Sequence, residues 1–142
     1  PVKAAGTAAN QDLPALKVPV TSFGSAVIDN HVYVFGGQKG SAHKYSADTQ
    51  ATSLQRLDLS KPTEWEVIAE TPRRTGVAMV GYKGKLYRVG GWEARNKDVD
   101  KWDLFSTNDF ASYDPKTGEW TDLAPLPEGR SSHDAALLGS RL

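Results

Sequence analysis

Two short apolar runs, each closed by a pair of glycines, set the rhythm of this chain: VYVFGG at 32–37 and LYRVGG at 86–91. β-Branched and aromatic residues bounded at once by a turn signal predict a strand. The second run follows the first by 54 positions, and the surrounding pattern returns with it. Each run is preceded by another apolar stretch and followed by a long polar loop. A further strand pattern then leads through a turn to a tryptophan. Trp65 and Trp120 are 55 apart, Asp58 and Asp114 are 56 apart, and Pro72 and Pro127 are 55 apart. A period of this length makes the chain a repeat protein, which decides the architecture before any single residue does.

Laid over each other, the two units give four predicted strands apiece: 23–28, 32–35, 54–59 and 65–69, then 77–82, 86–89, 110–113 and 120–123. Asp29-Asn30 and Tyr82-Lys83-Gly84 supply tight hairpin turns, and DPKTG at 114–118 supplies another. The segment RSSHDAALLGSRL from Arg130 aligns with RTGVAMVGYKGKL at an offset of 56 and opens a third unit. Four antiparallel strands per unit describe a β-propeller blade, which must stack on neighbours to bury its faces. The units are expected at 21–73, 74–129 and 130–142. Residues 1–20, rich in Ala and Pro, read as a leader or as an edge strand added to another repeat.

Composition narrows the function classes. Among 142 residues, 17 basic side chains balance 17 acidic ones, so no global field draws the chain to nucleic acid or an anionic membrane. No apolar run reaches the length of a membrane span. The absence of cysteine excludes disulfides and thiolate metal sites and leaves the compartment open. The chain begins at Pro1 and its one methionine is Met79, so it reads as a processed or excised piece.

An Arg before the first strand (Arg74, Arg130), the diglycine strand, Tyr113-Asp114 and Trp120 together resemble the kelch repeat, over residues 21–142. The resemblance implies an all-β fold of kelch-type β-propeller blades, two full four-stranded blades and the start of a third, as a fragment of a six- or seven-bladed ring. Further blades, or further copies, are then needed to close the ring. It also implies structural roles for Gly36, Gly37, Gly90 and Gly91 at the ends of second strands, and for Trp65, Tyr113 and Trp120 between blades. Leu57 stands where Tyr113 stands in the next unit, Ser22 where Gly76 stands, and Arg88 where Val34 stands. A charge between blades needs a carboxylate or water. The loop pattern and RSSHDA look like kelch proteins of secreted or periplasmic type.

Chemistry is expected in the loops after the diglycines, 38–53 and 92–109, which are far longer than hairpins require. His43, Tyr45, Arg73, Arg74, Trp92, Arg95, Trp102 and Arg130 are the candidate ligand-binding residues. Arg forks grip carboxylates and aromatic rings give rigid contact area, which suits a protein or carbohydrate partner. Other signals are weaker. Asn96, Asp98, Asp100 and Asp103 begin like a calcium loop, but Lys101 and Thr107 occupy its Gly and Glu places, so no metal is expected. Ser132-His133-Asp134 are adjacent, and neighbours on a strand point to opposite faces, so they form no relay. The glycines at 36, 37 and 40 lack the Lys-Ser/Thr of a phosphate loop. In SYDPKTGEW the Gly and Trp fall too far from the Asp for the Asp-box turn of sialidases. The expected function is binding, with no catalytic residue and no cofactor. The alternatives are a sugar-processing kelch enzyme, similar to sialic acid epimerases or galactose oxidases, and a structural piece that closes its ring by assembling three copies.

Overall fold

The computed structural model of the chain describes residues 12–142. The first four strands, β1 (Gly24–Ile28), β2 (His31–Phe35), β3 (Ser53–Asp58) and β4 (Glu66–Glu70), form one antiparallel sheet in the order β1-β2-β3-β4. Then come β5 (Ala78–Tyr82), β6 (Lys85–Val89), and a short pair inside the second long loop, β7 (Trp92–Ala94) with β8 (Leu104–Ser106). β9 (Phe110–Asp114) and β10 (Glu119–Asp122) join β5 and β6 in a second four-stranded sheet, ordered β5-β6-β9-β10. The two sheets are successive blades. No helix among the described residues is long and apolar enough to cross a membrane.

The hairpins follow from residues that tolerate positive φ. Asp29 and Asn30 sit at φ 46° and 61° between β1 and β2, and Lys83 and Gly84 at 48° and 72° between β5 and β6. Two consecutive left-handed residues twist the backbone in the sense the flanking strands require. Between β9 and β10, the Asp114 carboxylate accepts from the Lys116 backbone N–H (2.9 Å) and its carbonyl from Gly118 N–H (2.8 Å), which fixes the DPKTG turn.

Alternation along the strands builds the core between the sheets. Ile28, Tyr33, Phe35 and Leu54 of the first sheet meet Val77, Met79, Leu86 and Tyr113 of the second, and Trp120 packs against them. The Trp120 ring lies 5.0 Å from Tyr113 and 5.6 Å from Phe35, so the late tryptophan of one blade reaches across to the diglycine strand of the blade before it. Burying such side chains contributes about 1.5–3 kcal/mol each.

The opposite face of the first sheet carries Val34, Leu57 and Trp65, covered by Leu16 and Val20. Of the segment read as leader or edge strand, residues 1–11 lie outside the described residues, and 12–20 lie across this face. Gln55, wholly buried, holds them: its Oε1 accepts from Val18 N–H and its Nε2 donates to Val18 O, both at 2.9 Å. Trp65 Nε1 donates to Pro14 O at 3.0 Å. Residues 130–142, where a third unit was expected to open, form no strand here and carry one isolated bridge, Leu138 to Arg141, around Gly139-Ser140.

The diglycines join the blades. Gly37 N–H donates to Arg74 O and Gly91 N–H to Arg130 O, each at 2.8 Å. Within each blade, Gly36 N–H binds Ser53 O (3.0 Å) and Gly90 N–H binds Asp109 O (2.8 Å). Gly36 and Gly90 adopt φ 61° and 59°, and a Cβ on either would overlap the same arginine carbonyl oxygen that the next glycine binds. Close approach and handedness therefore both demand glycine. Just ahead of the first strands, Gly76 N–H donates to Ser22 O and Ser132 N–H to Gly76 O, each at 2.8 Å. All three residues share a left-handed φ, between 52° and 59°.

The latch predicts an asymmetry among glycines. Gly36→Ala is expected to destabilise the full-length protein by on the order of 2–4 kcal/mol. Gly40 also has positive φ, 76°, but nothing lies within 4 Å of its would-be Cβ. Gly40→Ala should therefore cost only the left-handed penalty of about 1 kcal/mol. Urea unfolding of both variants measures the difference.

Candidate functional site

The two long loops fold onto each other at one edge of the blades. Gln50 is the pin. Only 1% exposed, it donates from Nε2 to Thr75 Oγ1 (2.9 Å) and Trp92 O (3.0 Å) and accepts from Ala94 N–H at Oε1 (2.7 Å). One side chain thus ties the first loop to β7. Gln38 closes the first loop internally by donating to Lys39 O (3.1 Å) and Lys44 O (3.0 Å). The single 3-10 turn Ala47–Thr49 then presents Ala47 N–H to Asn96 O of the second loop at 2.9 Å.

Tyr45 fills the seam. Its ring lies 5.2 Å from Trp92 in an edge-to-face arrangement and 5.2 Å from Trp102 at a 54° tilt, with His43 at 6.1 Å. Asn96 Nδ2 donates to Tyr45 O (2.7 Å), and Lys44 pairs with Asp100 (2.6 Å). Aromatic pairs of this kind add about 0.5–1.5 kcal/mol beyond area burial. Trp102 donates to Val99 O (2.9 Å) yet stays 54% exposed. On the other face of the β7–β8 pair, opposite Trp92, Phe105 is exposed, with the Arg95 guanidinium 3.8 Å from its ring centre. The residues that begin like a calcium loop are engaged in turn hydrogen bonds: Asp103 N–H to Asn96 Oδ1 and Asp100 N–H to Asp98 Oδ1, both at 3.0 Å.

Beneath this platform lies a cluster of charge. Arg74, 8% exposed, directs Nε (3.0 Å) and Nη2 to Asp109 Oδ2 and Nη1 to Glu93 Oε2 (3.0 Å) and Arg73 O (2.6 Å). Arg88 Nη1 approaches the same Asp109 oxygen at 3.3 Å. Its guanidinium carbon lies 5.7 Å from the Phe35 ring and 5.4 Å from Trp120. The carboxylate that a charge between blades requires is therefore Asp109. Burial pushes Arg88 below the usual arginine range, with Asp109 opposing. At Asp109 burial acts upward, but hydrogen bonds and charge from Arg74 and Arg88 overcome it and hold the carboxyl below its usual range.

The sequence-derived candidates thus separate. His43, Tyr45, Trp92 and Trp102 come together in one aromatic cluster, and Arg95 lies on the other face of the β7–β8 pair with Glu93 and Phe105. Arg74 is engaged in the charge cluster, with Arg73 exposed next to it. Arg130 is exposed and pairs with Glu128. Gln50, Glu93, Phe105 and Asp109 are the additions that the folded chain reveals.

A model described as Kelch motif matches residues 19–51 and 73–127. The chain belongs to the Kelch-motif family. Kelch-like protein terF of Aspergillus terreus is 32% identical over 130 residues, covering 92% of this chain and 27% of that protein. N-acetylneuraminate epimerase of Pasteurella multocida is 34% identical over 113 residues, covering 78% of this chain and 26% of the epimerase. The solved structure of YjhT superposes with a TM-score of 0.69 at 26% identity, covering 89% of this chain and 34% of that one. The chain therefore spans about a quarter to a third of these relatives, and its two sheets are kelch blades of a β-propeller.

Asp109 carries a pH prediction. Its folded-state pKa is depressed, so between that value and the unfolded value near ~3.9 the unfolded chain binds more protons and stability rises with pH. The contribution is complete above that unfolded value and is lost as pH falls through the folded one. Asp109→Asn should cost about 2 kcal/mol at neutral pH, a figure set low because the Asp109 side chain is 32% exposed. The gap between wild type and variant should close on acidification below pH ~4, which unfolding curves at several pH values would reveal.

Proposed function

We propose that this chain is part of a kelch recognition module that binds a protein or carbohydrate ligand on the platform made by loops 38–53 and 92–109. The observation that carries the reading is Tyr45 wedged between Trp92 and Trp102, which fuses loops of successive blades into one rigid surface. Loops of this length left independent would lose much of their binding energy to ordering. Fused, they hold Trp102 in place beside Tyr45 and His43, while the other face of the same β7–β8 pair offers Phe105 and Arg95. Aromatic and arginine anchors dominate binding energy in many interfaces. Arg74 acts here by positioning, since Asp109 and Glu93 engage its guanidinium. The outward face of the second sheet, where Val80, Tyr82, Tyr87 and Phe110 line open grooves, suits a further blade, so the complete ring contains more kelch units than these.

A second reading rests on the epimerase relative: the complete protein processes a sugar, and these blades supply part of its binding face. The two acids beneath the platform, Glu93 and Asp109, are both paired with arginines, which favours binding over proton transfer for this part of the ring. Turnover of N-acetylneuraminate by the full-length protein would move the assignment to the enzyme.

Screening the full-length protein against arrays of glycans and peptides, followed by Trp102→Ala and Phe105→Ala, tests the platform. Each substitution should weaken the captured ligand by about tenfold or more, while the melting temperature shifts by less than about 2 °C because both side chains are exposed. Unchanged affinity in both variants would remove the platform from the binding site.

A further inference from the structure

Glu93 stands in a line of ion pairs that has one open end. Asp109 accepts from Nε and Nη2 of Arg74, and the remaining nitrogen of that guanidinium, Nη1, donates to Glu93 Oε2 at 3.0 Å. The other Glu93 oxygen, Oε1, accepts from Arg95 Nε at 3.1 Å. Arg95 is the last member. Its terminal nitrogens, Nη1 and Nη2, have no partner among the described residues. Asp103, across the β7–β8 pair, accepts the Arg95 backbone N–H at its carbonyl (2.8 Å), but its carboxylate forms no ion pair among the described residues.

The open end is held in one pose. Phe105 is the cross-strand partner of Glu93, so its ring shares their face, and the Arg95 guanidinium lies 3.8 Å from the ring centre. The contact with the ring uses the flat side of the guanidinium, and the bond to Glu93 uses Nε. Neither consumes the Nη edge, which is a fork that fits two carboxylate oxygens. The Arg95 side chain is 48% exposed and Phe105 45%, so a ligand can reach both. Holding the fork before a ligand arrives removes part of the ordering cost of binding. Arg74 differs, since Asp109, Glu93 and Arg73 O engage all three of its nitrogens.

We propose that the Nη edge of Arg95, seated on Phe105, anchors a carboxylate of the ligand. The proposal rests on the reading of these loops as a binding surface and names the chemistry that one face of the β7–β8 pair takes. The group is an acid flanked by apolar atoms that lie along the Phe105 ring. The carboxylates of Glu93 and Asp103 close by limit the negative charge the site accepts, which favours a monoanion over a phosphate dianion.

Matched pairs of immobilised probes test this on the full-length protein. One arm uses peptides that differ only in Glu or Gln beside a leucine, the other glycans that end in a uronic acid or its neutral parent sugar. The acidic member of a pair should bind about tenfold or more tighter than its neutral twin. Arg95→Gln should abolish that preference, and Arg95→Lys, which keeps the charge without the fork, should retain only a small part of it. A preference in either arm upholds the anchor and identifies the source of the carboxylate. Equal binding of the twins in both arms, or none, overturns it, as does a preference that survives in a folded Arg95→Gln protein. Trp102→Ala, on the opposite face, separates this result from the wider reading. If it weakens the probes and Arg95→Gln does not, the loops bind a ligand and the carboxylate anchor is wrong. Weakening by Arg95→Gln alone keeps the anchor and removes the aromatic cluster.

Discussion

A carbonyl oxygen that belongs to one blade and is bound by the next-to-last turn of another holds this structure in register. Arg74 O and Arg130 O each dock on a diglycine, and the geometry leaves no room for a side chain at Gly36 or Gly90. Because the bond is to backbone, it fixes distance and angle between sheets without depending on which residue carries the carbonyl. The position of every loop after a diglycine follows from it, since Ala51 N–H and Thr107 N–H bind the carbonyls of Gly37 and Gly91 in turn, at 2.9 and 2.8 Å.

Polar side chains then do between blades what apolar packing does in the core. Gln50 satisfies two backbone groups of the second long loop and the Thr75 hydroxyl at once, and Asp109 serves two arginines. Unpaired, each of these groups would carry a desolvation penalty of about 1–3 kcal/mol, and more for the charges. The partners of Gln50 belong to the next unit, and the diglycine carbonyls cross between units too, so each repeat is incomplete without its neighbour. That interdependence is the nearest-neighbour coupling of a repeat protein expressed in specific residues.

Much of the fold was legible because it rests on local signals. The paired hairpin turns, the diglycines and the DPKTG turn announce themselves within a few residues, and their recurrence gives the period. The strand pair β7 with β8 was not legible: WEA and LFS show no alternation, and they pair across a loop with no turn signature. Arg88 betrayed a need for a carboxylate, but its loop holds five acids, and only the fold selects Asp109. Gln50 gave no warning, since its partners lie 25 and 42 positions away. Arg74 looked like a ligand-facing cation because sequence spacing places it at a blade junction without revealing which way its guanidinium turns.

The left-handed residues Ser22, Gly76 and Ser132 have a consequence for hydrogen bonding. Gly76 links its neighbours on both sides, its N–H binding Ser22 O and its carbonyl accepting from Ser132 N–H, so the contact passes residue by residue from unit to unit. With these donors and acceptors already matched to each other, the backbone at this junction offers those groups to no guest. A molecule approaching this junction would meet paired backbone, and discrimination would fall to side chains.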